Sequence, residues 1–238
     1  MAKQKFAAFD IDGTIARTSL YLQLVEEMIA LDLIPEDVYQ DFQAAKQKWL
    51  DREHSEAFHE YNRSVVTSFE PYMKKIPVSQ LESLSEQVID HVKRRSYVYT
   101  RDLIHQLKSK DYFLIAISGS HKELAEPFAE HYGFDIVVGR SFERIGDSFT
   151  GQADRTFTDK DKILHELIVK HGLIKQDSIG VGDSAGDISM LEAVENPIAF
   201  NPEKKLLDHA QHNGWKVVVE RKNVIFQLEI RDGRYVLA

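Results

Sequence analysis

Short apolar runs alternate with helix-like segments along most of the chain after residue 95, and one further run lies near the N-terminus. The first run spans residues 6–9, and five more follow at 113–117, 136–138, 178–181, 197–200 and 216–219. Apolar side chains spaced three and four positions apart, as in amphipathic helices, occupy 121–132, 160–171, 187–194 and a segment before residue 216. Strands that alternate with helices predict an α/β fold with a doubly wound, mostly parallel sheet.

The segment 16–95 has a helical pattern throughout. Apolar positions recur at helical spacing in four stretches, which begin near Leu20, Val38, Phe58 and Leu81. Ser19 is a candidate N-cap for the first of these helices. We interpret the aromatic and methionine stripes of these helices as packing and infer no ligand from them. The pattern therefore predicts an all-helical insert over 16–95 in an α/β core made of residues 1–15 and 96–238.

Two shorter segments alternate around turn residues. In 142–153 the turn would fall at Gly146-Asp147, and in the tail, 224–238, Arg231-Asp232-Gly233-Arg234 lies between two apolar runs. Glycine beside aspartate between extended runs is typical of tight hairpins. We expect one hairpin in each segment.

Composition excludes several classes of function. The chain has 238 residues, enough for one large domain or a core with an insert, and no cysteine, which excludes disulfides, thiolate metal sites and cysteine catalysis. A formal charge of −8 argues against a general nucleic-acid binder, because affinity for a phosphate backbone comes from clustered Lys and Arg. The N-terminus lacks the apolar stretch of a secretion signal, and no run approaches the ~18 residues of a membrane span. We expect a cytoplasmic protein that acts on neither nucleic acid nor membranes.

Two carboxylates follow the first apolar run directly. Asp10 and Asp12, with Gly13 after them, would lie at the carboxyl end of a buried strand, where ligands bind in open α/β sheets. Two acids in a common crevice can divide the chemistry, one as nucleophile or metal ligand and the other as general acid and base. Asp and Gly are also ordinary turn residues, so the short pattern alone leaves a simple turn as an alternative.

Three other segments bring polar residues to strand ends or helix starts. Ser118-Gly119-Ser120 is suited to cradle a phosphate, although such a segment is also a routine loop. Lys160 or Lys162 lies at the start of a helix, where a lone lysine is usually solvated. Asp183 and Asp187 are four residues apart and could face one crevice, or Asp183 could be an N-cap. The coincidence of these segments in one sheet predicts a single catalytic site.

The chain resembles the haloacid dehalogenase-like hydrolases in four ordered motifs, which are Asp10-Ile-Asp12-Gly-Thr14, Ile117-Ser118-Gly119, Lys160 and Gly182-Asp183-Ser-Ala-Gly-Asp187. The helical insert after the first motif and the Ile-Ser-Gly-Ser form of the second are similar to the phosphoserine-phosphatase-like branch. The resemblance runs from Phe6 to Val219, and Lys160 fits the third motif better than Lys162. It implies a phosphatase that hydrolyses a small phosphorylated metabolite through an aspartyl-phosphate.

The resemblance also implies a role for each motif residue. Asp10 would be the nucleophile, and Asp12 would protonate the leaving oxygen and then activate water. The Thr14 hydroxyl would help to fix the loop that aims Asp12. The phosphoryl oxygens would be held by Ser118, the Gly119 N–H and Lys160.

Mg²⁺ is the cofactor that the resemblance implies. Asp10, Asp183 and the backbone carbonyl of Asp12 would hold it, and Asp187 would bind a metal-bound water or orient Lys160. Hard oxygen ligands and the lack of thiols also favour Mg²⁺ over zinc or copper.

The leaving group of the substrate would be selected by the insert, which closes over the site in this branch. Phosphoserine phosphatases carry an acidic residue early in this cap to meet the substrate ammonium, and Ser19 stands there in this chain, near Arg17. Gly13 also stands where those enzymes often have Ser, and both departures argue against phosphoserine. Arg17 is a candidate substrate ligand. Other cations of the insert could reach a second anionic group or be ordinary solvated residues, namely Lys46, Lys48, Arg52 and Arg63.

Two other functions stay open at this point. A phosphotransferase or mutase would use the same aspartyl-phosphate but pass the phosphoryl group to a hydroxyl. A non-catalytic module could bind a phosphorylated ligand on the same fold. Dehalogenation is disfavoured, because Asp12 supplies acid chemistry that a halide leaving group does not need. We expect a small phosphorylated metabolite as the partner, and a monomer or a homodimer.

Overall fold

A mostly parallel sheet forms the core of the computed structural model, which describes residues 4–54, 56–153, 159–231 and 233–238. The strands are β1 (Gln4–Phe9), β2 (Phe113–His121), β3 (Ile136–Arg140), β4 (Phe142–Ile145), β5 (Ser148–Ala153), β6 (Leu173–Gly182), β7 (Asn196–Phe200), β8 (Lys216–Arg221), β9 (Val224–Arg231) and β10 (Arg234–Leu237). Eight of them form one sheet in the order β10-β9-β8-β7-β6-β1-β2-β3, parallel from β3 to β8 and antiparallel beyond β8. The predicted α/β class and doubly wound sheet are confirmed.

Strand β1 lies in the middle of this sheet, between β2 and β6. All four residues of 6–9 are fully buried, and they alternate between two cores, since Ala7 and Phe9 belong to one and Phe6 and Ala8 to the other. Burial on both faces explains why this strand is a continuous apolar run rather than an alternating one. Phe9 pairs with Ala116 of β2 and with Val181 of β6, so the three strands end at one edge.

Nine helices lie within the described residues: α1 (Leu20–Ala30), α2 (Glu36–Leu50), α3 (Ala57–Phe69), α4 (Val78–Val92), α5 (Val98–Ser109), α6 (Lys122–His131), α7 (Lys160–His171), α8 (Ile188–Glu192) and α9 (Lys204–Asn213). Two 3₁₀ turns accompany them, at Glu70–Lys75 and Ala185–Asp187. Helix α5 is not predicted by the sequence pattern. It buries only Thr100, Ile104 and Leu107, which is too sparse a stripe to stand out.

The segment 16–95 contains α1 to α4, as its periodicity predicts. Ser19 caps α1, because its Oγ accepts a hydrogen bond from the Leu22 N–H at 3.3 Å. Helices α2 and α3 pack against each other through aromatic rings, and Trp49 stacks on Tyr61 with ring centroids 5.4 Å apart. The aromatic stripes thus pack these helices together, as expected.

Both predicted hairpins form. β4 and β5 pair antiparallel, and the Asp147 carboxylate at their turn accepts hydrogen bonds from the N–H and Oγ of Ser79, at 2.8 and 2.9 Å, in the first turn of α4. The tail hairpin, β9 with β10, extends the main sheet beyond β8. Asp232, in its predicted turn, lies outside the described residues. No helix among the described parts of the chain is long and apolar enough to cross a membrane.

Candidate active site

The residues singled out from the sequence meet at the edge where β1, β2 and β6 end. Asp10 follows β1, Ser118 and Gly119 lie near the end of β2, Asp183 follows β6, and Lys160 begins α7. A cavity of about 580 Å³ opens at this edge, and six predicted residues are among those that line it: Asp10, Asp12, Arg17, Gly119, Lys160 and Asp183. These residues are far apart in the sequence, and the parallel sheet brings them together.

Lys160 lies at the centre of the site. Its Nζ donates hydrogen bonds to Asp10 Oδ1 at 2.7 Å, to Asp187 Oδ1 at 2.6 Å and to the Ile117 carbonyl oxygen at 3.0 Å. Burial disfavours the ammonium, but the two carboxylates outweigh it and raise the pKa of Lys160 above its ordinary value. Lys162, the alternative left by the sequence, is 72% exposed and pairs with Asp159. The structure therefore places Lys160, and not Lys162, among the site carboxylates.

Asp10 and Asp183, two of the carboxyls that line the cavity, resist ionisation. Burial, with the carboxylates of Asp187 and Asp12, raises the pKa of Asp10 to about 7 against the opposing effect of Lys160. Burial also raises the pKa of Asp183 well above its ordinary value, and repulsion from Asp10 adds to the rise. One lysine among several carboxylates leaves the site short of positive charge, so a bound cation would relieve the repulsion.

Asp12 is held by three donors. Its Oδ1 accepts from the Leu20 N–H at 2.5 Å and from Ser120 Oγ at 3.0 Å, and its Oδ2 accepts from Ser118 Oγ at 2.6 Å. Burial raises the pKa of Asp12, although these hydrogen bonds favour the ionised form and limit the rise. The Ser118 hydroxyl, expected to hold a phosphoryl oxygen, thus donates to Asp12. Ser120 is a partner that the sequence does not predict.

Thr14 anchors the loop that carries Asp12. Its Oγ1 donates a hydrogen bond to Asp183 Oδ1 at 3.2 Å. Its carbonyl oxygen accepts from Thr100 Oγ1 at 2.9 Å, which ties the loop to α5. The role expected for the hydroxyl, to help fix the loop that aims Asp12, stays a prediction. Thr14 is fully buried, so its hydroxyl needs a partner, and the half-buried Asp183 carboxylate provides it. Thr14 therefore orients Asp183.

Three carboxylates could hold a metal ion. One oxygen each from Asp10, Asp183 and Asp187 lies within 4.8 Å of the others. Asp187 is already committed, because Oδ1 bonds Lys160 and Oδ2 accepts from the N–H groups of Asp183 and Ser184 and from Ser184 Oγ. The donor set is all oxygen, which fits Mg²⁺, and because Asp187 fixes the loop and the lysine, Asp10 and Asp183 are the candidates for direct ligands. Ligation by the Asp12 carbonyl stays a prediction.

Gly13 gives Asp183 the room that it needs. The residue has φ +82°, and a Cβ built on it would lie 2.2 Å from Asp183 Oδ2 and 2.8 Å from Asp183 Cγ. We expect Gly13→Ala to push the carboxylate out of place and to lower kcat/KM for phosphate release by about a hundredfold, the cost of misplacing a catalytic group by ~1 Å. The measurement is steady-state phosphate release.

Gly146→Ala is the matched control for that variant. Gly146 also has a positive φ, +60°, but a Cβ there meets no atom within 4 Å. Both variants carry the backbone strain of alanine in a left-handed conformation, and only Gly13→Ala displaces Asp183. Equal activity of the two variants would show that the space beside Asp183 does not matter.

The far wall of the cavity comes from the helical segment. Trp49 of α2 and Phe58 of α3 line it, with ring centroids 5.4 Å apart, so two residues interpreted from the sequence as packing alone also border the site. Tyr21, His121 and Arg140 line it as well and are missed by the sequence analysis. Burial lowers the pKa of His121 to about 3 and keeps its imidazole neutral. Nothing in the local sequence marks these residues, because each is ordinary in its own helix or strand.

The cations proposed for substrate binding differ in whether they line the cavity and in which residues they contact. Arg17 lines the cavity, but its guanidinium pairs with the buried Glu220 carboxylate at 3.2 Å and lies over the Tyr97 ring, 5.1 Å from the centroid. Substrate contact by Arg17 stays a prediction. The other four candidates, Lys46, Lys48, Arg52 and Arg63, are not among the residues that line the cavity. Lys46 pairs with Glu26 at 2.9 Å.

Comparisons with known proteins agree with the geometry. A family model described as haloacid dehalogenase-like hydrolase matches residues 7–192. A phosphoserine phosphatase of Mycobacterium tuberculosis is 24% identical over 220 residues, which cover 89% of this chain and 69% of the relative. A phosphoserine phosphatase of Archaeoglobus fulgidus is 27% identical over 141 residues, which cover 58% of this chain but only 39% of the relative.

A solved structure shows the same fold. It is an analogue of the phospho-aspartyl intermediate of phosphoserine phosphatase, and it matches with a TM-score of 0.63 at 19% identity, covering 92% of this chain and 95% of that one. At that identity the likeness concerns the fold, and the chemistry has to be argued from the site.

Proposed function

The chain belongs to the haloacid dehalogenase-like hydrolases, and on that premise we propose that it is a Mg²⁺-dependent phosphatase acting on a small phosphorylated metabolite. The observation that carries the proposal is the pairing of buried Lys160 with Asp10 Oδ1. Among the described residues no hydrogen bond is made to Asp10 Oδ2, although Asp10 lines the cavity. One carboxylate oxygen is thus fixed while the other is left for a phosphoryl group or a cation.

Two displacements at phosphorus complete the reaction. In the first, an Asp10 oxygen attacks, the ester P–O bond breaks, and Asp12 gives its proton to the departing oxygen. In the second, water attacks the aspartyl-phosphate, Asp12 takes the proton, and phosphate leaves with Asp10 restored. The raised pKa of Asp12 favours the protonated form that the first step requires.

Positive charge and hydrogen-bond donors would stabilise both transition states. Lys160 supplies a fixed ammonium, and Gly119 lines the cavity next to Ser118. The Ser118 hydroxyl and the Gly119 N–H would donate to the phosphoryl oxygens, where charge accumulates. Mg²⁺ held by Asp10 and Asp183 would supply the remaining charge neutralisation when bound. The Ser118 hydroxyl donates to Asp12 Oδ2, so a bond to a phosphoryl oxygen would replace this one.

We further propose that the helical segment 16–95 is a cap that selects the substrate. Among its contacts with the core at the site, the Leu20 N–H bonds Asp12 and His59 of α3 bonds Glu203 beside α9. Glu203 also accepts from the Ala185 N–H at 2.6 Å, in the loop between Asp183 and Asp187. Closure of the cap over the cavity is therefore linked to the loop that carries the proposed metal ligand.

The test of this function is phosphate release from a panel of phosphomonoesters. We expect release with Mg²⁺, its loss with EDTA and its recovery when Mg²⁺ is restored. Added acceptor alcohols separate hydrolysis from transfer, because a phosphotransferase would form a new ester and release less inorganic phosphate. Release that EDTA does not affect would contradict the proposed metal dependence.

The pH dependence of Mg²⁺ binding follows from Asp10. In the folded, metal-free protein the pKa of this carboxyl is raised from 3.8 to about 7, so below that pH it holds a proton that a cation must displace. Stabilisation by Mg²⁺ should therefore be small near pH ~6, grow through pH ~7 and level off near pH ~8. Thermal unfolding at fixed Mg²⁺, with a metal-free series as the baseline, measures it. A Mg²⁺-induced rise in Tm that is the same at both ends of this range would contradict the role of Asp10.

A further inference from the structure

The cavity has two chemically different ends. One end carries the proposed phosphoryl site with Asp10, Asp12 and Lys160. The other end is formed by apolar side chains of α1, α2 and α3, which are Leu22, Trp49, Phe58 and Val66. Phe58 keeps 38% of its surface exposed although it packs against Trp49. Exposed aromatic surface in a concave site is typical of a place where a ligand's apolar part is buried.

The cations of the cavity outside the phosphoryl end are already compensated. Arg17 pairs with Glu220 at 3.2 Å. Arg140 makes two contacts with the Glu70 carboxylate, one of them a hydrogen bond at 3.0 Å, and His59 pairs with Glu203. A substrate carboxylate placed here would have to share a cation with a protein carboxylate, and the repulsion between the two acids would weaken binding.

Acids are missing from the same end. Among the described residues that line the cavity, the carboxylates are Asp10, Asp12 and Asp183, and all three belong to the phosphoryl end. Ser19 also lines the cavity, and its hydroxyl oxygen is occupied as the cap of α1. Burying an ammonium without a carboxylate partner costs desolvation free energy that no interaction offsets. A zwitterionic leaving group is thus disfavoured at both of its charges.

Neutral hydrogen-bonding groups remain at this end. Asn62 of α3 lines the cavity, and no hydrogen bond of its amide is found among the described residues. An amide can both donate and accept, so it suits an uncharged hydroxyl, carbonyl or amide of a ligand.

We propose that the preferred substrate is a phosphomonoester of an uncharged alcohol with an apolar or aromatic body, bound against Trp49 and Phe58 and reaching Asn62. This inference rests on the proposed phosphatase function and narrows its substrate class. It places specificity in α2 and α3, with Phe58 and Asn62 as its determinants.

The experiment compares esters whose leaving oxygens are all primary aliphatic. Phenethyl phosphate is the neutral aromatic ester, and phosphoethanolamine and O-phosphoserine are the charged ones. We expect kcat/KM for phenethyl phosphate to exceed that for either charged ester by about tenfold or more. A ratio of this size corresponds to the free energy gained when part of an aromatic ring is buried. Phe58→Ala should lower this ratio, whereas Leu50→Ala, at an exposed position of α2 outside the cavity, should leave it unchanged.

A second variant should shift the preference toward an ester that carries an ammonium. Asn62→Asp adds a carboxylate at the apolar end, and it should raise kcat/KM for phosphoethanolamine relative to phenethyl phosphate. Release of phosphate with a preference for O-phosphoserine would overturn the inference and leave the phosphatase function intact. Absence of release from every ester, p-nitrophenyl phosphate included, would instead contradict the proposed function itself.

Discussion

Asp10→Asn is expected to lower kcat for phosphate release by about 10⁴-fold or more, because the amide removes the attacking oxygen on which both displacements depend. The fold should survive the change. Burial already disfavours a charge on Asp10, and Lys160 keeps its bond to Asp187 at 2.6 Å. Phosphate release and thermal unfolding of the same preparation measure the two effects together.

Trapping of the intermediate makes the result specific for the nucleophile. Acid-quenched wild-type protein should carry a phosphoryl group after exposure to a labelled ester, and Asp10→Asn should carry none. Asp102→Asn is the matched control, since Asp102 is 55% exposed on α5 and, within the described part of the chain, pairs only with Arg101. Wild-type turnover in Asp10→Asn, or a trapped phosphoryl group on it, would assign the nucleophile to another residue.

The second large effect is expected from Lys160→Met, which removes the only cation found between Asp10 and Asp187 in the described structure. The side chain is 7% exposed, and the two carboxylates are 8% and 0% exposed, so the loss leaves two buried carboxylates without a counter-ion. Breaking a buried pair in this way costs about 3–5 kcal/mol of unfolding free energy. Denaturant unfolding measures the loss, and phosphate release should fall with it.

The destabilisation of Lys160→Met should depend on pH. Lys160 lowers the pKa of Asp10, so its removal leaves that pKa higher still in the folded state. An acid whose folded pKa is raised takes up a proton more readily folded than unfolded, and its unfavourable contribution grows as pH rises. The stability gap to wild type should therefore be larger near pH ~8 than near pH ~5.

Lys162→Met gives the comparison for this prediction. Lys162 is in the same helical turn, 72% exposed, and among the residues that the structure describes it pairs only with Asp159. Its removal should therefore change stability by no more than ~0.5 kcal/mol. If the two variants were equally stable and active, the third motif would have been assigned to a lysine without a role in the site.

The sheet is readable from the sequence because each buried parallel strand is a short apolar run with a polar residue at its end. The run at 6–9 followed by Asp10 is the clearest case, since burial on both faces leaves no polar position within it. Helix α5 cannot be predicted from the sequence in the same way. Its buried face is narrow and includes Thr100, whose hydroxyl is satisfied by the Thr14 carbonyl oxygen, and that partner is visible only in three dimensions.

The phosphoryl end of the site is predictable for the same reason, and the apolar end is not. Asp10, Ser118 and Asp183 each follow an apolar run, which marks them in the sequence. Arg140 and Phe58 reach the cavity only through the packing of β3 and α3, so no local pattern distinguishes them from other strand-end or helix residues. Thr14 shows an intermediate case, because its motif is evident while its partner, Asp183, is 169 positions away.

The bond between the Leu20 N–H and Asp12 Oδ1 bears on how such caps can be exchanged between proteins. The first amide of α1 is part of the surroundings of the proposed general acid, so a graft that replaced the whole of 16–95 would also replace one of the three donors to Asp12. A chimera should therefore keep the chain through Leu22, including the Ser19 cap, and join the foreign helices after it. By this criterion the transplantable unit begins inside α1, several residues beyond the point where the helical pattern starts.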